Sequence, residues 1–251
     1  MSETEHLVSQ EEKRYTKEDF QRVVETTRKK DGLPNILFYR NFSILITKLV
    51  SRTNLTPNQL TVFCLLGNIL AAYFLFYRNM LPFLVVGIIM LQVARILDSV
   101  DGEIALLKNK CSKFGAWLDG TIDRISEAMI LSSLALGTYF IYGNMDIILI
   151  FILYYLLSFI GTYAMLFSET LFQKHTRENV SGFIANIAER FKIKPNYLSW
   201  EGSLYTVLLT IFILLNRIDI LFIILIAISL SEIFVVFRTV WKRRSYTEEV
   251  E

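Results

Sequence analysis

Apolar residues fall along this chain in long runs rather than in alternation, and polar or turn-forming residues cut the runs at short intervals. Runs of about 20 apolar residues match a hydrocarbon core about 30 Å thick. With no water in that core, helices satisfy their own backbone groups within each segment. The pattern predicts an all-α polytopic membrane protein with six transmembrane helices, near residues 58–77, 81–100, 116–142, 145–167, 199–216 and 218–240. Arg78-Asn79 and Gly143-Asn144 turn the chain between spans. The stretch TPNQLT opens the first span, with Thr56 placed to cap it and Pro57 suited to its first turn. Upstream, Ile36, Leu37, Phe38, Phe42, Ile44, Leu45, Ile46 and Leu49 are interleaved with Arg40, Lys48 and Arg52. This reads as an N-terminal amphipathic helix lying in the membrane interface, or else as a packed helix on the cytoplasmic side. Residues 1–32 are a polar segment with a short solvated helix around Tyr15 to Lys30, and no chemistry is assigned to them. One membrane domain, 33–244, and a tail, 245–251, complete the organisation.

Composition supports this reading: of 251 residues, 53% are hydrophobic and 14% aromatic, too apolar for an ordinary soluble domain. The formal charge of +2 points to no partner, and nucleic acid is not indicated. Where the charge lies is more informative. The N-terminal segment, the loop after the second span, the 173–199 loop with Lys174, Arg177, Arg190, Lys192 and Lys194, and the end after Trp241 are basic. The remaining turns hold only Arg78 and Arg217. Under the positive-inside rule this predicts a multi-pass protein of the cell membrane with both termini in the cytoplasm. The 173–199 loop is either a plain topology signal or a surface for an anionic acceptor or headgroup. Cys64, Cys111, His6 and His175 have no metal-ligand spacing, which argues against zinc chemistry and Ser/His or Cys/His catalysis. The polar first thirty residues contain no signal-peptide pattern.

Against this apolar background, residues 98–123 read DSVDGEIALLKNKCSKFGAWLDGTID. Asp98 and Asp101 are three apart and Asp119 and Asp123 four apart, so each pair shares a helix face. One pair ends the second span and the other begins the third, which brings all four to the same membrane face, the cytoplasmic one. Four carboxylates gathered at low dielectric take up protons or bind cations. Mg²⁺ or Mn²⁺ suits such oxygen donors, and a pair of these ions is a recurring device for clamping phosphates. Gly102 and Gly115 leave backbone open beside the acids, and Ala105 keeps the next turn small. Glu127 continues the Asp119 and Asp123 face one turn deeper, beside Arg124. It is either a site group or half of a helix-to-helix lock.

Taken whole, the stretch resembles the signature of the CDP-alcohol phosphotransferase (phosphatidyltransferase) family, D-x2-D-G-x2-A-R-x8-G-x3-D-x3-D. It matches at Asp98, Asp101, Gly102, Ala105, Gly115, Asp119 and Asp123. The resemblance implies six transmembrane helices, commonly paired as a homodimer, that transfer a substituted phosphate from a CDP-linked lipid or alcohol donor to an acceptor hydroxyl and release CMP. It implies that Asp98, Asp101 and Asp119 hold two divalent cations. Asp123 would be the general base while contributing to one metal. Along the donor would lie Thr56, Pro57, Asn58, Gln59, Thr61, Gly102, Ala105, Ser112 and Gly115. One position departs: the family's Arg is Leu106 here. Either Arg95, Lys108, Lys110 or Lys113 takes over some of that contact, or activity is weakened or lost. The run SKFGAWLDGTIDR is similar to the branch that uses inositol phosphate, yet YLSWEGSLYTV lacks the arginines that branch carries near its fifth span. The acceptor therefore stays open among inositol phosphate, glycerol phosphate, another polyol or an amino alcohol. Two competing readings are an intramembrane-carboxylate transporter of metal or solute and a catalytically silent relative.

Overall fold

The structure, a computed structural model, describes residues 15–28, 31–172 and 202–247. Helices and short connections make up all of it, and no strand occurs among the described residues. In chain order the helices are α1 Lys17–Arg28, α2 Arg40–Val50, α3 Pro57–Phe76, α4 Leu81–Leu107, α5 Lys113–Tyr142, α6 Asp146–Phe172, α7 Gly202–Leu214 and α8 Ile218–Thr247. One π-helical turn, Asn35–Tyr39, leads into α2. Five helices, α3, α4, α5, α6 and α8, are long and apolar enough to cross a membrane. Where a sixth span is predicted at 199–216, the structure describes the 13-residue apolar helix α7. The basic 173–199 loop lies outside the described residues, as do residues 1–14 and 248–251.

The second span continues beyond its predicted end at Val100, to Leu107. Asp98, Asp101 and Glu103 interrupt the hydropathy, but helical hydrogen bonding does not require apolar side chains. At 27 residues α4 rises about 40 Å, more than a bilayer core needs, so its acidic turns can stand at the membrane surface. The connection to α5 is correspondingly short, residues 108–112. It is closed by Lys108, Asn109 and Lys110 amides that donate to the carbonyls of Ile104, Leu106 and Ala105 at 2.9, 3.2 and 2.8 Å. Asn109 has φ of 51°, a left-handed conformation that Asn tolerates better than most residues. Ser112 then caps α5 by accepting from the Gly115 amide at 2.9 Å.

α3 packs along both α4 and α5. Small residues permit the approach: a side chain at Gly137 would lie 2.6 Å from the Phe76 carbonyl oxygen, and one at Gly67 would press on Ala94 at 3.2 Å. Leu75, Leu91, Leu134, Leu209, Leu221 and Phe222 form part of one buried core. Outward faces remain apolar, with Phe159, Ile223, Phe234 and Phe237 exposed, as a lipid-facing surface requires.

The amphipathic stretch before α3 is turned opposite to a helix on a soluble protein. Leu37, Phe38, Phe42, Leu45 and Leu49 face outward, while Asn35, Arg40, Ser43 and Thr47 are buried. The sequence reading takes Arg40, with Lys48 and Arg52, as part of the basic character of an amphipathic helix; the structure buries it between two acids. Its Nε and Nη2 donate to Asp31 at 2.8 and 2.5 Å, and its Nη1 donates to Glu103 of α4. Glu103 also accepts from Ser43 and Thr47, each at 2.6 Å. Asp31, read as part of the polar segment without chemistry, is therefore an anchor for α2.

Candidate active site

Three of the four signature aspartates converge. Asp98 near the end of α4 and Asp119 and Asp123 near the start of α5 each offer a carboxylate oxygen, and these oxygens lie within 4.8 Å of one another. Asp101, the fourth, is buried and turned toward α3, where its Oδ2 accepts from the Thr61 hydroxyl at 2.7 Å. The helical spacing thus delivers both pairs to one end of the bundle but divides their work: three acids face each other, and one ties α4 to α3. Three like charges at this separation disfavour one another in the absence of a cation. Among the described residues one cation answers them directly, Arg95, whose Nη1 lies 2.8 Å from Asp98 Oδ2. This set of hard oxygen donors fits a divalent cation of the Mg²⁺ or Mn²⁺ class.

The first turn of α3 meets the first turn of α5 beside this cluster. Thr56 and Gln59 form a reciprocal cap, Gln59 N to Thr56 Oγ1 at 3.3 Å and Thr56 N to Gln59 Oε1 at 2.9 Å. Pro57 takes the first helical position, and Asn58 faces Gly115, where an added Cβ would lie 3.3 Å from Asn58 Oδ1 and 3.1 Å from Ser112 Oγ. A side chain at Gly102 would meet nothing within 4 Å, so that backbone is open. Ala105 and Leu106 are half-buried on the following turn of α4.

The cations near Leu106 have separate duties. Lys108 donates to the carbonyls of Thr53 and Leu55 at 2.8 and 2.9 Å, closing the connection ahead of α3. Partial burial and neighbouring Lys110 pull its ammonium below the usual lysine range. Lys110 and Lys113 are exposed. Arg95 reaches from α4 to the start of α7, where Gly202 leaves it room: a Cβ there would collide with its guanidinium.

A cavity of about 400 Å³ opens from Asp98 and Asp123 between α3, α4, α5 and α7. It descends past Asn68, Ser126, Glu127, Tyr205 and Thr206 to Leu91 and Ile130. Glu127 accepts from Arg124 of its own helix at 2.9 Å and from Tyr154 of α6 at 2.6 Å; the second bond ties α5 to α6, and Glu127 also lines the cavity. Asn68 donates to Ser126 at 3.1 Å. Sequence reasoning passed over Asn68, Ser126, Tyr205 and Thr206. Their signal was faint, single polar residues inside apolar runs, where each could equally bond its own helix.

The comparisons with known proteins agree with this geometry. The profile of the family described as CDP-alcohol phosphatidyltransferase matches residues 54–241, most of the chain. The chain is 45% identical over 92 residues to an archaetidylinositol phosphate synthase of Pyrococcus horikoshii, an alignment covering 37% of this chain and 47% of that protein. It is 29% identical over 189 residues to a bifunctional IPC transferase and DIPP synthase of Aquifex aeolicus, covering 75% and 40%. A protein of the same description from Archaeoglobus fulgidus is 27% identical over 211 residues, covering 82% and 38%. Each alignment spans less than half the length of the relative it matches. The family match runs from the cap of α3 through both aspartate pairs to the end of the last span, and the chain belongs to the CDP-alcohol phosphatidyltransferase family.

Proposed function

We propose that the protein is a membrane-embedded transferase that moves a substituted phosphate from a CDP-linked lipid or alcohol donor to a hydroxyl of a polyol or polyol phosphate, with CMP as the leaving group. The observation that carries this reading is the convergence of Asp98, Asp119 and Asp123 at the mouth of a polar cavity. In the transfer a bond forms between the acceptor oxygen and the donor's distal phosphorus, the bond from that phosphorus to CMP breaks, and the acceptor proton leaves. Asp123 lines the cavity and is assigned to take that proton. Asp98 and Asp119, with Asp101 behind them, would hold divalent cations. Such ions, when bound, neutralise diphosphate charge and polarise its oxygens.

The remaining residues bind and orient. Asn58, Ser112, Gly115 and the open backbone at Gly102 form the wall along which the donor lies. Thr61 fixes the Asp101 carboxylate. Leu106 leaves that wall without the family's guanidinium. Names of the relatives support a polyol phosphate acceptor, since one is called an archaetidylinositol phosphate synthase. We further propose that α7 belongs to the sixth span, that α2 lies in the interface with Phe38, Phe42 and Leu45 toward lipid, that the aspartate end faces the cytoplasm, and that two copies pair. The test is purified protein with CDP-diacylglycerol or its ether analogue, Mg²⁺ or Mn²⁺, and a panel of acceptors, followed by CMP release. CMP that appears only with metal, donor and one acceptor class supports the assignment. Metal-dependent binding with no CMP from any acceptor would favour a silent relative.

A further inference from the structure

Resting on the reading of the aspartates as a divalent-cation site, we infer that Arg95 is a built-in competitor for that cation. Its guanidinium holds Asp98 in the absence of an ion, gives way when one enters, and so sets how tightly the ion is bound. Gly202, at the start of α7, is the seat that permits this. The inference starts from the ion pair. Arg95 Nη1 lies 2.8 Å from Asp98 Oδ2, and the two side chains are only 18% and 14% exposed, so solvent does not screen their attraction as it does in a surface pair. Asp98 is also one of the three acids whose oxygens lie within 4.8 Å of one another. A divalent ion entering among these acids meets a carboxylate that already carries a cation on one of its oxygens. Two cations on one carboxylate repel each other. By linkage, each then weakens the hold of the site on the other.

The fold also gives such a competitor the room it needs. Arg95 stands one turn before Asp98 on α4 and reaches the first residue of α7. An added Cβ at Gly202 would lie 3.1 Å from Arg95 Cζ and closer still to its Nη1. What stands in the way is the far end of a long side chain and not backbone, so the guanidinium would yield before the helix. Arg95 and Gly202 both line the cavity of about 400 Å³, and a displaced guanidinium can turn into that space without repacking the core. A purely orienting role for Arg95 predicts the opposite sign. Outer partners that orient a metal ligand strengthen metal binding, and their loss typically costs about 10- to 100-fold in affinity. Loss of a competing cation should instead raise affinity, by a factor of similar size.

Mn²⁺ binding to the purified protein, with neither donor nor acceptor present and the free ion read by electron paramagnetic resonance, decides between the two signs. Arg95→Gln should bind Mn²⁺ about 10- to 100-fold more tightly than wild type, whereas Arg95→Lys, which keeps the charge, should stay near wild type. Gly202→Ala changes no charge, yet it should also tighten binding, by crowding the guanidinium off Asp98. It should add nothing in an Arg95→Gln background, because its effect runs through Arg95. A damaged fold lowers affinity, so a gain is not a product of misfolding. Weaker or unchanged binding in Arg95→Gln would overturn the inference and make Arg95 an orienting partner of Asp98, with the cation site itself still standing. The inference also fails if Arg95→Lys tightens binding as much as Arg95→Gln, or if Gly202→Ala keeps its effect without Arg95. Should Arg95→Gln not fold, Gly202→Ala carries the test alone, and unchanged or weaker binding there overturns the inference. If neither wild type nor Arg95→Gln binds Mn²⁺, the cation site falls and this inference with it.

Discussion

Two carboxylates five residues apart on α4, Glu103 and Asp98, are treated in opposite ways. Glu103 is enclosed by Arg40, Ser43 and Thr47, with Asp31 completing the guanidinium's partners. Asp98 instead faces Asp119 and Asp123, with Arg95 as its counter-charge. A buried acid with matched donors holds two helices in register, and its cost is offset locally. Among the described residues the three acids that face each other share one ion-paired cation, Arg95, and a bound cation is the further compensation proposed for them. Neighbouring acids on one helix can therefore be sorted into scaffold and site by their partners alone.

Breaking the site side should give the largest effect. Asp123→Asn removes the proton acceptor and leaves Asp98 and Asp119 in place. CMP release in a single turnover should fall about 10²- to 10⁴-fold while metal-dependent donor binding is largely retained. If donor binding disappears with it, Asp123 is chiefly a metal ligand.

Breaking the scaffold side should cost stability instead. Glu103→Ala strands Arg40 with half its partners, and loss of one member of a buried pair typically costs about 3–5 kcal/mol. Unfolding in detergent, followed by denaturant titration, should show that loss. Glu103→Gln should lose less, because its amide oxygen still accepts from one of the Ser43 and Thr47 hydroxyls while the other can rotate to accept from its NH2. A Glu103→Ala protein as stable as wild type would mean that α2 is held by its other contacts, such as the Tyr39 hydroxyl donating to Gln92 at 2.6 Å.

A smaller effect sharpens the donor wall. Leu106→Arg restores a guanidinium one residue beyond Ala105 and should tighten CDP-donor binding by about 1–3 kcal/mol through charge-assisted hydrogen bonds. Unchanged affinity in an equilibrium titration would show that the donor does not pass over that turn.

The site was legible in the sequence where periodicity fixes geometry. Spacings of three and four place Asp98 with Asp101 and Asp119 with Asp123, and the short connection between α4 and α5 brings both pairs to one end. Spacing could not show that Asp101 would turn to Thr61, a partner 40 residues away. Nor could it pair Glu103 with Arg40, which reads as one more basic residue on an amphipathic helix. The usual inference that charge faces outward fails for α2, whose exposed side is apolar, because two acids draw Arg40 inward. Five of the six predicted spans are met by helices long and apolar enough to cross a membrane; acids ended the second too early on paper, and at the sixth the described helix α7 has 13 residues. The cavity was not legible at all. Asn68 on α3, Ser126 and Glu127 on α5, and Tyr205 and Thr206 on α7 come together only through packing.

The central claim is that Asp98, Asp119 and Asp123 need a divalent cation and Glu103 does not. Mn²⁺ binding to purified protein, read by electron paramagnetic resonance of the free ion, tests it most directly. Wild type and Glu103→Gln should give matching isotherms, and Asp98→Asn and Asp119→Asn should each lose the tight binding. Equal Mn²⁺ affinity in Asp98→Asn, Asp119→Asn and wild type would contradict the account.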